Sequence, residues 1–71
     1  MIIYTKHANQ KFDTLNKFKV YLRNEQIEEC VKLPDKTGKK GVNYYALRDG
    51  IKVIYKKQRG DIKILTFYPV K

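Results

Sequence analysis

Two periodicities divide the chain. Over residues 8–15 the apolar positions Ala8, Phe12 and Leu15 recur at helical spacing, while Asn9, Gln10, Lys11, Asp13 and Thr14 fall on the opposite side. This spacing predicts a helix over 6–17, preceded by a short strand at Ile2, Ile3 and Tyr4, whose side chains favour extended backbone. Thr5 stands between the two as an N-cap, since its hydroxyl can accept a hydrogen bond from a free N–H of the first turn. A second helix is predicted from an Asn24 cap, with Ile27, Cys30 and Val31 as its apolar face. Glu25, Glu28 and Glu29 load its N-terminal half with charge that suits the helix dipole. Pro34 ends it, because a residue before proline is pushed out of helical geometry. Between the helices, 18–22 reads as an irregular connector packing Phe18, Val20 and Leu22.

Beyond Pro34 the period changes to two. Residues 35–41, with Lys36, Lys39 and Lys40 around Gly38 and Gly41, read as a loop by composition. Strands are predicted over 42–47, 51–57 and 62–68. Asp49-Gly50 between the first two is a strong hairpin signal, and a second turn surrounds Gly60. Ile51, Val53 and Tyr55 alternate with Lys52, Ile54 and Lys56, which gives the central hairpin one apolar face and one mostly basic face. The last strand is apolar on both sides, as an interior strand should be. The expected architecture is therefore an α+β domain of order β-α-α-β-β-β. Its two N-terminal helices cover one face of a small, mostly antiparallel twisted sheet, and Lys and Tyr side chains occupy the other.

A length of 71 residues allows one domain, 1–71, near the size at which a core alone suffices. A partner or a weak dimer would add stability, so the expected state is a monomer or weak dimer. An apolar fraction of 42% with six Tyr and three Phe argues for a folded chain. The single Cys30 cannot form an internal disulfide; it reads as a core residue and suits a reducing cytoplasm. No apolar run approaches the roughly 18 residues of a membrane span, so a soluble protein without membrane association is expected.

Charge changes the picture most. Residues 1–35 carry a net charge of +1 and residues 36–71 a net of +8, within a total of +9. A basic face of this kind is the electrostatic footprint of a nucleic-acid binder, because each Lys or Arg near a phosphate can release a counterion. An acidic protein would be drawn to it equally. Lys52 and Lys56 lie on the basic face of the hairpin, Lys6 begins the first helix, and Arg48 and Arg59 at hairpin ends are phosphate candidates by residue type.

The one histidine, His7, falls in the first turn of the first helix, where free N–H groups and the positive dipole end favour a bound anion and a neutral imidazole. It is the best candidate for proton transfer, with a capping or half-buried histidine as the alternative. Lys11, one turn further on the same side, can neutralise a phosphate held near it. One His and one Cys 23 positions apart make no zinc or two-metal site, and there is no Gly-rich phosphate loop, so no metal or cofactor is expected.

Tyr4-Thr5-Lys6-His7-Ala8, then Lys11-Phe12, then Glu25-Gln26-Ile27-Glu28-Glu29 leading to Leu33-Pro34-Asp35, and a final Ile64-Leu65-Thr66-Phe67-Tyr68-Pro69 occur in this order. Together they resemble a family of small prokaryotic domains with a T-K-H-A start and an I-T-F-Y-P end. That family is similar to the RelE and ParE toxin fold, grouped more widely with barnase, EndoU and colicin-type ribonucleases. The chain departs from the pattern by placing Leu65 between Ile64 and Thr66. The resemblance implies a RelE-like fold and a metal-independent endoribonuclease of toxin type. It adds Thr66 and Tyr68 to His7 and Lys11 as residues that hydrogen-bond the phosphate or move a proton during RNA cleavage. It also implies RNA, including ribosome-bound mRNA, as substrate and an acidic antitoxin protein as partner. Two alternatives stay open: a non-catalytic RNA-binding or ribosome-associated module that stacks bases on tyrosines, and a ParE-like protein-interaction domain. Strict alternation would put Thr66 and Tyr68 on the side of Ile62 and Ile64, unless a bulge re-aims the strand end.

Overall fold

A computed structural model of the chain describes residues 1–17 and 22–70. The connector expected at Phe18 and Val20 lies outside the described residues. The elements are β1 (Ile2–Tyr4), α1 (Lys6–Lys17), α2 (Asn24–Lys32), β2 (Lys36–Lys40), β3 (Asn43–Arg48), β4 (Ile51–Gln58) and β5 (Asp61–Pro69). They form one five-stranded sheet in the order β1-β5-β4-β3-β2, with β1 parallel to β5 and every other pairing antiparallel.

The expected order β-α-α-β-β-β, and the RelE-like arrangement attached to it, is corrected to β-α-α-β-β-β-β. The segment expected as a loop is the strand β2, which pairs along its whole length with β3, from Lys36 opposite Leu47 to Lys40 opposite Asn43. Lysines and a glycine are weak strand formers in a sheet interior, but β2 is an edge, where lysine is a common guard against further pairing. A two-residue Gly41–Val42 turn with Gly41 at φ 65° closes this hairpin. The Asp35 N–H donates to Leu47 O at 2.7 Å and extends the ladder by one bond.

The other hairpins follow expectation. Asp49 and Gly50 both take positive φ, 50° and 76°, as do Arg59 and Gly60 at 50° and 84°. Two consecutive left-handed residues match the twist of the flanking strands. Ile51, Val53 and Tyr55 are buried while Lys52 and Ile54 are half-buried and Lys56 is exposed, so β4 has the predicted two faces. The strand β5 sits between β1 and β4, in the interior position that its double-sided apolar character suggested.

Both helices pack on the apolar side of the sheet. Ala8 of α1, Ile27 and Cys30 of α2, and Ala46, Ile51, Val53, Tyr55, Ile64 and Phe67 of the sheet make one core, with no buried polar or charged residue among those described. The Phe12 ring packs at a tilt against Phe67 and Tyr4, with centroids 4.5 Å and 5.9 Å away, which joins α1 to β5 and β1. Cys30 is a core residue as expected, and burial pushes its thiol pKa up. The N-cap of α2 is Arg23 rather than Asn24, one residue earlier: the Arg23 N–H donates to Gln26 Oε1 at 2.8 Å, so Asn24 is already helical. At its other end α2 stops before Pro34, as predicted.

Thr5 caps α1. Its Oγ1 accepts from the Ala8 N–H at 3.1 Å and donates to Leu65 O at 3.2 Å, and its N–H donates to Ile64 O at 3.0 Å. These two carbonyls lie at an irregularity in β5. Tyr55 pairs with Ile64 and Ile54 with Thr66, so Leu65 is an extra residue, a β-bulge. The bulge keeps Ile64 and Phe67 both buried against the helices although their spacing is odd. It also resolves the parity of the strand end, because Thr66 and Tyr68 then project to the sheet face away from the helices.

Candidate nucleic-acid interface

The sheet face opposite the helices is open, and strand alternation fixes what stands on it. The register that the Asp49–Gly50 turn imposes places Tyr45 opposite Ile54 and Leu47 opposite Lys52. From β5 come Thr66, opposite Ile54, and Tyr68, opposite Lys52. A cleft of about 450 Å³ lies here, lined by Lys40, Asn43, Tyr44, Tyr45, Lys52, Ile54 and Tyr68.

Lys52 is its centre. The ammonium nitrogen lies 5.0 Å from the centroid of the Tyr45 ring and 5.9 Å from that of Tyr68, so two aromatic faces share one cation. Tyr45 is held in place from below, because it sits across from Gly38 and a Cβ on that glycine would collide with the ring. The glycine that makes β2 look like a loop is the seat of a tyrosine. The half-buried Thr66 hydroxyl and Asn43 amide make no side-chain hydrogen bond among the described residues and are free to meet a ligand. Lys56 stands directly opposite Lys63 on neighbouring strands, an unfavourable pairing of like charges unless an anion lies across it. All seven acidic residues lie on helices or in turns and strand ends, and none lines this cleft.

The residues singled out by sequence separate into groups. Lys52, Lys56, Thr66 and Tyr68 share the open face. His7 and Lys11 lie on α1, in the layer packed against the opposite face; His7 is exposed in the first turn as predicted, and Lys11 is half-buried. No hydrogen bond or ion pair among the described residues joins either of them to Thr66 or Tyr68. Lys6 is exposed at the start of α1, and Arg59 is exposed in the β4–β5 turn.

Arg48 is engaged within the chain. Its Nη1 donates to Leu33 O at 2.7 Å, and its Nε lies 3.6 Å from Asp49 and 3.9 Å from Glu29. It fastens the end of α2 to β3.

Tyr45 and Asn43 belong to the cleft but were not among the sequence candidates, and Lys40 enters it from a segment whose composition suits a solvated turn first and a phosphate contact only second. The signal that locates Tyr45 is hairpin counting: a two-residue Asp-Gly turn fixes which residue stands beside Ile54. No similar count reaches Lys40, whose segment looked like a loop.

Comparisons of the chain with protein families, with curated proteins and with solved structures find no match.

Proposed function

We infer that the chain binds single-stranded RNA on the open face of its sheet. Bases stack on Tyr45 and Tyr68, and the backbone phosphates are held by Lys52 and the lysines around it. The observation that carries this reading is the Lys52 ammonium shared between two tyrosine rings in a cleft free of carboxylates. Unpaired bases present the π-faces that such rings stack on, at about 1–3 kcal/mol per base, and a paired helix does not. The free Thr66 hydroxyl and Asn43 amide supply hydrogen-bonding groups for sugar hydroxyls and base edges.

Binding is favoured over cleavage by the division of the candidate residues. The ribonuclease chemistry implied by the resemblance needs a proton-transfer group and phosphate ligands around one phosphorus atom. His7 and Lys11 belong to the helix layer, whereas Thr66 and Tyr68 belong to the open face.

Fluorescence titration of labelled single-stranded RNA, with a duplex of the same length as comparison, tests the proposal. Single strands should bind more tightly, and Tyr45→Ala should weaken them by about 5- to 150-fold, the equivalent of one lost stacking contact. Lys52→Gln should lower the slope of log affinity against log salt by about 0.7. An acidic protein partner would respond to Lys52→Gln but not to loss of the ring, so affinity unchanged in Tyr45→Ala overturns the stacking reading. In EDTA, the wild type should leave a labelled RNA intact; cleavage that disappears in a folded His7→Ala variant would restore the enzymatic reading.

A further inference from the structure

Tyr44 and Tyr45 are consecutive in β3 and therefore point to opposite sides of the sheet. Tyr45 belongs to the cleft. Tyr44 is on the helix side, packed against the core and stacked on its cross-strand neighbour Tyr55, with ring centroids 5.6 Å apart and planes inclined by 19°. Two lysines converge on it: the Lys39 ammonium lies 5.5 Å from the Tyr44 centroid and the Lys57 ammonium 5.1 Å from it. Lys39 reaches the ring from β2, where it is the direct partner of Tyr44, and Lys57 reaches it from β4, two residues beyond Tyr55.

Two ammonium groups thus stand beside one ring, and no ion pair with a carboxylate neutralises either of them among the described residues. The arrangement has the composition of an anion site: two cations beside one aromatic ring, with the anion absent from the chain itself. It is also continuous with the cleft. Lys39 and Lys40 are neighbours on the edge strand β2; Lys39 faces Tyr44 on the helix side and Lys40 lines the cleft on the open side. A chain of regularly spaced anions that fills the cleft reaches Lys39 and Lys57 by passing round one edge strand.

We propose that Lys39, Lys57 and Tyr44 form a second phosphate-binding site, and that a single RNA strand seated in the cleft turns round the β2 edge to place its backbone there. The proposal rests on the reading of the cleft as an RNA site and extends it to both sides of the sheet. It predicts a footprint longer than the cleft can hold.

Oligouridines of about four and about twelve nucleotides separate the two sites, since only the longer strand reaches round the edge. The dependence of affinity on salt is the readout, because the number of binding registers open to a longer strand does not alter it. With the wild type, the twelve-mer slope should exceed the four-mer slope by about 1.4, the value for two additional phosphate contacts. That difference corresponds to a further gain of about 25-fold in affinity between 1 M and 0.1 M salt. In the double variant Lys39→Gln, Lys57→Gln the two slopes should coincide while four-mer binding is unchanged. In a double variant Lys17→Gln, Lys32→Gln, which removes the same charge from the helices, the difference should persist. A twelve-mer slope that stays steep in Lys39→Gln, Lys57→Gln overturns the second site and leaves the cleft intact. Failure of the wild type to bind the four-mer overturns the cleft itself, and the second site with it.

Discussion

Thr5 holds together the two halves of the structure that lie furthest apart in sequence, and its removal should be measurable out of proportion to its size. Its Oγ1 accepts from the Ala8 N–H at 3.1 Å and donates to the carbonyl of Leu65, the bulged residue, at 3.2 Å. Thr5→Val keeps the shape of the side chain and removes both bonds. Loss of an N-cap costs about 1 kcal/mol, and loss of a hydrogen bond to a half-buried carbonyl costs about 1 kcal/mol more. A total of about 2 kcal/mol is a large share of the roughly 4–11 kcal/mol expected for a domain of this length. It should lower the thermal midpoint by about 8–16 °C, read by circular dichroism at 222 nm, a wavelength that reports α1 and α2. Thr5→Ser, which keeps the hydroxyl, should stay close to wild type. A Thr5→Val protein within about 0.5 kcal/mol of wild type, or a Thr5→Ser protein as unstable as Thr5→Val, would refute the claim that the cap and the bulge are joined through this hydroxyl.

Two further outcomes follow from the packing. Gly38→Ala should weaken RNA binding while leaving the unfolding midpoint nearly unchanged, because the new Cβ displaces the Tyr45 ring while the strand backbone tolerates alanine; wild-type affinity in this variant would mean that Tyr45 is not held over Gly38 for binding. Stability should hold steady to about pH 9 and fall at higher pH, since burial pushes the pKa values of Cys30, Tyr4 and Tyr55 above their ordinary 9.0 and 10.0. The folded chain keeps these protons where the unfolded chain has released them, so the unfolded state gains as pH rises. Tyr4 also donates to Glu28 Oε2 at 3.1 Å, a charge that raises its pKa further. Urea titrations across this range should therefore show a shallower alkaline decline in Tyr4→Phe; an equal decline in both proteins would contradict the assignment.

Much of the architecture was legible in the sequence because it rests on local rules. The helical spacing of Ala8, Phe12 and Leu15, the Thr5 cap, the Pro34 stop, and the Asp49-Gly50 and Gly60 turns all appear where the residues place them. Two features were hidden because they depend on partners distant in sequence. The strand β2 carries lysines and a glycine that suit a solvated loop equally well, and only pairing with β3 and the need for space beneath Tyr45 decide the matter. The bulge at Leu65 is invisible to alternation, which assigns Thr66 and Tyr68 to the core side; it follows from satisfying Ile64 and Phe67 together in one core. The site was legible in part for the same reasons. Lys52, Lys56 and the general basic character of the open face follow from β4 alone, whereas the grouping with Tyr45 and Tyr68 requires both the hairpin register and the bulge. The family resemblance drew Thr66 and Tyr68 into one set with His7 and Lys11, and the sheet divides them.

The most direct test of the open face as the binding surface is a map of backbone amide shifts in ¹⁵N-labelled protein titrated with a short single-stranded oligouridine. The account predicts that the largest changes cluster at Tyr45, Lys52, Ile54, Thr66 and Tyr68, with α1 and α2 little affected. Changes centred on His7 and Lys11 at the start of α1, with β3, β4 and β5 unperturbed, would contradict it.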